Sequence, residues 1–249
     1  LLQSKNQYAV HSPFIYNFLI KCLYAKFSNT LKNKLWLFRK VFLTSSEVIE
    51  VTDRGRGSQQ FNSNYRAVKD MARYAGMTRH KSKLINKIIG YFNIKTVLEL
   101  GTSVGLGSIA MAVNQPNTKV ETVEACPNTS SFARKQFKIL DLENITVFNY
   151  EFSFFLNNIS DRKEYDLIYL DGHHDKKAIL EYFKLLQKHI HPYSIIIFDD
   201  IYWSKDMQEA WQTICRDETV IVSIDLYFWG IVFFNPNLSQ QHYKIRCFF

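Results

Sequence analysis

Three of the nine glycines lie within seven residues, in Glu99-Leu-Gly101-Thr-Ser-Val-Gly105-Leu-Gly107. Glycine accepts positive φ and, lacking Cβ, lets the backbone approach a ligand closely. The spacing here is G-x-x-x-G-x-G. Nicotinamide and flavin sites use G-x-G-x-x-G, and a phosphate loop needs Gly-Lys-Ser/Thr, so this turn suits a nucleoside without a pyrophosphate. Glu124 ends the run Val120-Glu-Thr-Val-Glu124, 23 residues after Gly101. An acid at such a place accepts hydrogen bonds from both hydroxyls of a ribose. Two later segments, Tyr169-Leu-Asp171-Gly-His173-His174 and Ile197-Phe-Asp199-Asp200-Ile-Tyr202-Trp203, put acids directly after apolar runs. If those runs are neighbouring parallel strands, Asp171, Asp199 and Asp200 share one small volume, where carboxylates repel unless a proton or cation neutralises them. A hard divalent ion, Mg²⁺ or Ca²⁺, would do so. The alternatives are substrate binding, capping of backbone amides or orientation of histidines. His173 and His174 are of the type that removes a hydroxyl or amine proton, and His174 is the better placed. Tyr202 and Trp203 suit either a pocket wall or ordinary packing.

Short β-branched, aromatic and Leu-rich runs at 96–100, 119–123, 145–150, 166–170 and 194–198 predict strands. Helical spacing separates them, clearest at Ala133, Phe137 and Leu140 and at Ile179, Phe183, Leu186 and Ile190. Strands alternating with helices of this length imply βαβ crossovers and a parallel sheet covered on both faces. A helix over 205–216 and two closing strands at 219–223 and 227–234 follow, with Gly230 read as a bulge position. Ahead of residue 94 the pattern is helical. Ser12-Pro13 reads as a cap and first-turn proline. Ile15, Phe18, Leu19, Cys22 and Leu23 repeat at helical steps, as do Leu31, Leu35, Phe38 and Phe42. A short strand is expected at 47–51, a loop at 53–60, and helices again from Tyr65 and from Leu84. The chain therefore divides into a helical extension, 1–93, and an α/β domain, 94–249.

The 249 residues are 47% hydrophobic and 22% charged, enough for a full core without disulfides, and no apolar run reaches membrane-spanning length. Four scattered cysteines and the lack of a signal-peptide pattern fit a reducing cytoplasm. Charge is uneven. Residues 1–95 carry 17 Lys and Arg against four Asp and Glu, whereas the remainder carries 14 against 19. A basic front attracts nucleic acid, anionic lipid or an anionic substrate, or is simply a solvated helical surface.

Over residues 90–235 the glycine turn and the second-strand acid resemble the class I S-adenosylmethionine-dependent methyltransferases. The resemblance implies a Rossmann-like, doubly wound, seven-stranded and mostly parallel sheet with an antiparallel last strand. It also implies that Glu99, Gly101, Thr102, Ser103, Gly105 and Glu124 line the cofactor site. Ala125 would flank it, Phe152 or Ser153 would touch adenine, and Asp171 would join the same set. The later strand ends are similar to the catechol O-methyltransferase-like branch, where an Asp after strand four and an Asp-Asn pair after strand five hold a metal ion. Here that pair is Asp199-Asp200, a departure that adds negative charge. The opening Ala9-Val-His-Ser-Pro-Phe14, the 53–60 loop and the Asp199–Trp203 run are similar to a group of bacterial methyltransferases. In that likeness the front caps the cofactor cleft, with Arg54 and Arg56 on a lid.

The implied activity is methyl transfer from S-adenosylmethionine to an oxygen of a small molecule, assisted by an ion if the three carboxylates hold one. His174, Asp171 and His173 are the candidate catalytic residues. Two alternatives stay open: a nucleic-acid methyltransferase using the basic front, and a cofactor-binding regulator without catalysis. Against amino-group methylation of nucleic acid, strand four ends in Leu-Asp-Gly-His rather than Asp/Asn-Pro-Pro-Tyr/Phe.

Overall fold

The computed structural model describes residues 10–52 and 63–246. In chain order the first elements are α1 (Pro13–Phe18), α2 (Asn29–Leu43), β1 (Val48–Glu50), β2 (Tyr65–Ala67), α3 (Val68–Asp70) and α4 (Arg79–Phe92). The alternating part begins with β3 (Thr96–Leu100), α5 (Leu106–Ala112), β4 (Lys119–Val123), α6 (Pro127–Ile139), β5 (Ile145–Phe148) and α7 (Phe152–Asn158). It continues with β6 (Leu167–Leu170), α8 (Lys176–Leu186), β7 (Ile195–Asp199), α9 (Lys205–Cys215), β8 (Val222–Asp225), β9 (Trp229–Phe233) and β10 (Gln241–Lys244). Two compact units emerge: Lys26–Phe155, and Leu1–Ala25 with Leu156–Phe249. The sequence pattern suggests a boundary near residue 93 instead.

In the unit Lys26–Phe155, β3 pairs with β4 and β4 with β5, all parallel. Each crossover is a helix, as the strand–helix alternation requires. Every residue of α5 is buried, so this short helix has no polar face to solvent. A separate antiparallel pair joins β1 to β2, with Ile49 opposite Arg66. The helix expected from Tyr65 therefore starts three residues later, because Tyr65–Ala67 first pairs with the strand expected at 47–51. Of the predicted apolar face of α2, only Phe42 is fully buried; Leu31, Leu35 and Phe38 are half-buried.

In the other unit β6 and β7 are parallel, while β9 runs antiparallel to both β7 and β8. β10 lies parallel to β8, with Tyr243 opposite Ile224. Among the described residues the two sets hold three and five strands, mostly parallel and of the α/β Rossmann-like kind, against seven expected in all. The antiparallel strand is the last but one. The added strand, Gln-His-Tyr-Lys, is polar and short, so it carries no apolar pattern to betray it. Gly230 is not a bulge: the register through Phe198↔Gly230 and Asp225↔Gly230 is unbroken. A Cβ there would come within 2.5 Å of the Trp211 ring, and that close approach is what demands glycine. Ser12 caps α1 and Pro13 occupies its first turn, as expected. Phe14 and Phe18 then meet Phe233 of β9 edge-on at 5.2 and 5.9 Å. No helix among the described residues is long and apolar enough to cross a membrane.

Candidate functional site

At the end of β3 the chain turns through Gly101 (φ 110°), Ser103 (φ 49°) and Gly105 (φ 94°), the last serving as N-cap of α5. The amides of Gly101 and Thr102 both donate to the Val123 carbonyl at 3.0 and 3.3 Å, which pins the turn to the end of β4. A side chain at Gly105 would be strained by its φ and would meet the Phe137 ring at 2.6 Å. Beneath the turn sits Glu99, 1% exposed. Its Oε2 accepts from the Ser108 hydroxyl and, at 2.6 Å, from Thr122, whose own hydroxyl meets that of Thr102 at 2.6 Å. A Cβ on Gly107 would collide with Glu99 Oε1, so the third glycine makes room for this carboxyl rather than for a ligand. Burial pushes the Glu99 pKa up to about 7, against the lowering effect of the Ser108 and Thr122 hydrogen bonds. Glu99 and Thr102, both expected to line a cofactor, are thus buried parts of the turn's foundation, while Gly101 and Ser103 are half-exposed above them.

Glu124 follows β4 and is half-buried. Its Oε2 accepts from the Ser103 amide at 3.0 Å and its Oε1 from the Cys126 amide at 2.9 Å. The expected partnership of turn and acid is therefore a direct hydrogen bond. Asn149, which no sequence motif singles out, donates to the carbonyls of Glu124 and Ala125 at 2.8 and 3.2 Å. It fixes the backbone on which the acid stands; its only sequence signal is a polar amide directly after a strand. The end of β1 reaches the same place, since Asn128 donates to the Glu50 carbonyl at 2.8 Å and the Thr52 amide approaches Cys126 Sγ at 3.4 Å. Phe152 is 8% exposed at the start of α7, and Ser153 beside it is half-buried. Arg54 and Arg56 lie outside the described residues.

The later strand ends are arranged differently. β6 and β7 are neighbours, as expected, with Leu170 opposite Phe198. Asp171 follows β6 and is half-buried. Asp199 is only 4% exposed; its Oδ2 accepts from the Tyr169 hydroxyl at 2.5 Å and its Oδ1 from the Asp200 amide at 2.7 Å. Asp200 takes a left-handed φ of 50°. Among the described residues no three His, Cys, Asp or Glu side chains are grouped to hold a metal ion. Of the ligands expected for Mg²⁺ or Ca²⁺, Asp199 is engaged by a tyrosine hydroxyl and by its own neighbour's amide, while Asp171 and Asp200, directly after β6 and β7, are half-buried. His173 (φ 49°) meets the Tyr182 hydroxyl through Nδ1 at 2.5 Å and stacks on that ring at 5.8 Å. His174 lies 5.5 Å from Trp203, itself 42% exposed. Tyr202 donates to Asp225 at 2.7 Å and stacks on Tyr227; burial and that hydrogen bond push its pKa up.

Residues 98–201, the stretch holding the turn, Glu124 and both later strand ends, match the family described as a methyltransferase domain. Among solved structures, the SAH-bound methyltransferase PaMTH1 of Podospora anserina is similar with a TM-score of 0.60 and 12% identity, over 90% of this chain and 97% of that one. The O-methyltransferase of Bacillus cereus, in complex with SAH, gives 0.55 and 16% over 88% and 96%. TomG of Streptomyces achromogenes, an O-methyltransferase involved in tomaymycin synthesis and solved with SAM, gives 0.55 and 14% over 63% and 80%. At such identities the likeness is one of fold. The chain thus has the α/β Rossmann-like fold of these methyltransferases, and its residues 98–201 match a methyltransferase domain.

Proposed function

We propose that the protein is an S-adenosylmethionine-dependent methyltransferase whose acceptor is an oxygen of a small molecule. The observation that carries this reading is the 3.0 Å bond from the Ser103 amide to the Glu124 carboxylate. It sets an acid and a positive-φ, side-chain-poor turn on one rim, the arrangement a nucleoside with a ribose diol needs. The match of residues 98–201 to a methyltransferase domain, and the O-methyltransferases among the similar structures, support the choice of chemistry.

When bound, S-adenosylmethionine supplies an electrophilic methyl on a sulfonium. The residues of this chain bind, align and remove a proton. Glu124, held by two amides, accepts the ribose hydroxyls, and Gly101 and Ser103 present backbone to the methionine part. Glu99, kept partly protonated near neutral pH by burial, braces the turn from below. His174 takes the acceptor proton and Asp171 sets the charge beside it, while His173 is a positioning residue held by Tyr182. Methyl transfer is an in-line displacement, so alignment and proton removal are the main contributions asked of the protein.

The test is calorimetric titration of S-adenosylmethionine into the wild type and Glu124→Ala. Loss of hydrogen bonds to a charged group, each worth about 1.5–3 kcal/mol, predicts binding weaker by at least about a hundredfold for two such bonds. Equal affinity in the two proteins would refute the ribose assignment and the reading with it.

A further inference from the structure

The basic front of the chain plays no part in the proposed methyl transfer, yet four of its cations line one cavity. Within the unit Lys26–Phe155 a cavity of about 460 Å³ lies between α2 and α4, with Leu106 and Ile109 of α5 at its floor. That is the size range of small-molecule sites. None of Gly101, Ser103, Gly105 or Glu124 lines it. The half-burial of Leu35 and Phe38, expected as core, follows from this space: both border it instead of packing against protein.

Its chemistry is one-sided. Lys32, Arg39, Arg79 and Lys83 line it, together with His80, and no Asp or Glu does so among the described residues. None of those four cations takes part in an ion pair with a described carboxylate. Arg39 is held rigidly, its guanidinium donating to the carbonyls of Met77 and, at 2.7 Å, Ala72; those bonds orient its charge without neutralising it. The Arg79 guanidinium stacks 3.4 Å over the Trp36 ring, which gives a flat, cationic platform at the edge. Arg79, His80, Lys81 and Lys83 also occupy the first turns of α4, which hold no acid in the first turn. Cations there oppose the helix dipole, so the arrangement works against the stability of α4. Mutual repulsion is visible in the groups themselves: after burial, Arg79 lowers the Arg39 pKa, and Lys83 and Arg79 lower that of His80.

A fold that gathers like charges around a cavity, at the wrong end of a helix and beside an aromatic plane, is built for a multiply charged anion. We propose that this cavity binds a nucleotide-type ligand, its polyphosphate held by Lys32, Arg39 and Lys83 and its planar ring on the Trp36–Arg79 platform. No residue from Gly101 to Gly105 lines the cavity, and the proposal does not depend on the methyltransferase reading.

The probe is UDP, a nucleoside diphosphate without adenine, titrated calorimetrically into the full chain, with inorganic pyrophosphate alongside. The double variant Lys32→Glu/Lys83→Glu is expected to bind both at least about tenfold more weakly, since each substitution removes a charge-assisted hydrogen bond to phosphate. Trp36→Leu is expected to weaken UDP several-fold and leave pyrophosphate almost unchanged. Thermal melts and S-adenosylmethionine titrations of the same variants report whether the fold and the turn are intact. UDP affinity indifferent to the charge reversals overturns the proposal, as does competition between UDP and S-adenosylmethionine. Binding of a short single-stranded RNA without any binding of UDP overturns it in favour of a nucleic-acid surface.

Discussion

Glu124, directly after β4, and Asp199, the last residue of β7, stand at the ends of parallel strands, yet their carboxylates have opposite fates. Glu124, half-buried, is oriented by the Ser103 amide of the glycine turn and by the Cys126 amide at the start of α6. Asp199 is sealed at 4% exposure by Tyr169 from its neighbour strand and by the next residue's amide. Strand position tells where an acid stands; whether it faces a ligand depends on which donors reach it first. A tyrosine two residues upstream of Asp171 donates to Asp199, whereas two backbone amides donate to Glu124.

That contrast can be attacked where it is steepest. Gly107→Ala drives a methyl into the Glu99 carboxyl in a fully buried helix, and overpacking of this kind is expected to cost about 3 kcal/mol or more in urea unfolding. A mild effect would mean that Glu99 is free to move and that the turn has no rigid foundation. At the other region, Asp199→Ala removes the carboxylate that accepts from the Tyr169 hydroxyl, a loss of about 2–3 kcal/mol, while the Asp200 amide keeps the Phe228 carbonyl at 2.9 Å. Tyr169→Phe with Asp199→Asn in a double-mutant cycle should show their coupling in stability. If Asp199→Asn instead abolishes turnover in a protein that melts normally, Asp199 belongs to the chemistry and the contrast fails.

The pH dependence gives the smallest effect. Below about pH 4.5 Glu99 is protonated in folded and unfolded chains alike. Between about 4.5 and about 7 the unfolded chain releases that proton and the folded chain keeps it, so stability falls as pH rises through this window. Glu99→Gln, which keeps an acceptor for Ser108 and Thr122, should flatten this dependence. The wild type is expected to lose several degrees of melting temperature relative to the variant between pH 5 and pH 8. Parallel curves would show that Glu99 ionises normally.

The turn, the second-strand acid and the parallel strands were legible because each rests on local chemistry: glycines where φ is positive, an acid at a strand end, β-branched runs between helices. The Tyr169–Asp199 bond was not, since its partners stand 30 residues apart and meet only once β6 and β7 pair. The Asn149 brace was hidden for the same reason, and β10 because a polar edge strand has no apolar rhythm. The cavity beside α2 was visible only as an excess of Lys and Arg. Helical spacing of Leu35 and Phe38 suggested core, and it took the placement of α4 to show that the face borders open space.

The notch at Gly230 has a mechanical meaning. Trp211 of α9 rests in it, and the same strand holds Trp229 opposite Asp199. The indole therefore works as a key in a slot, locking the helix against sliding along the antiparallel strand. One methyl group at residue 230 would lift that helix and unseat the strand end on which Asp199 is mounted.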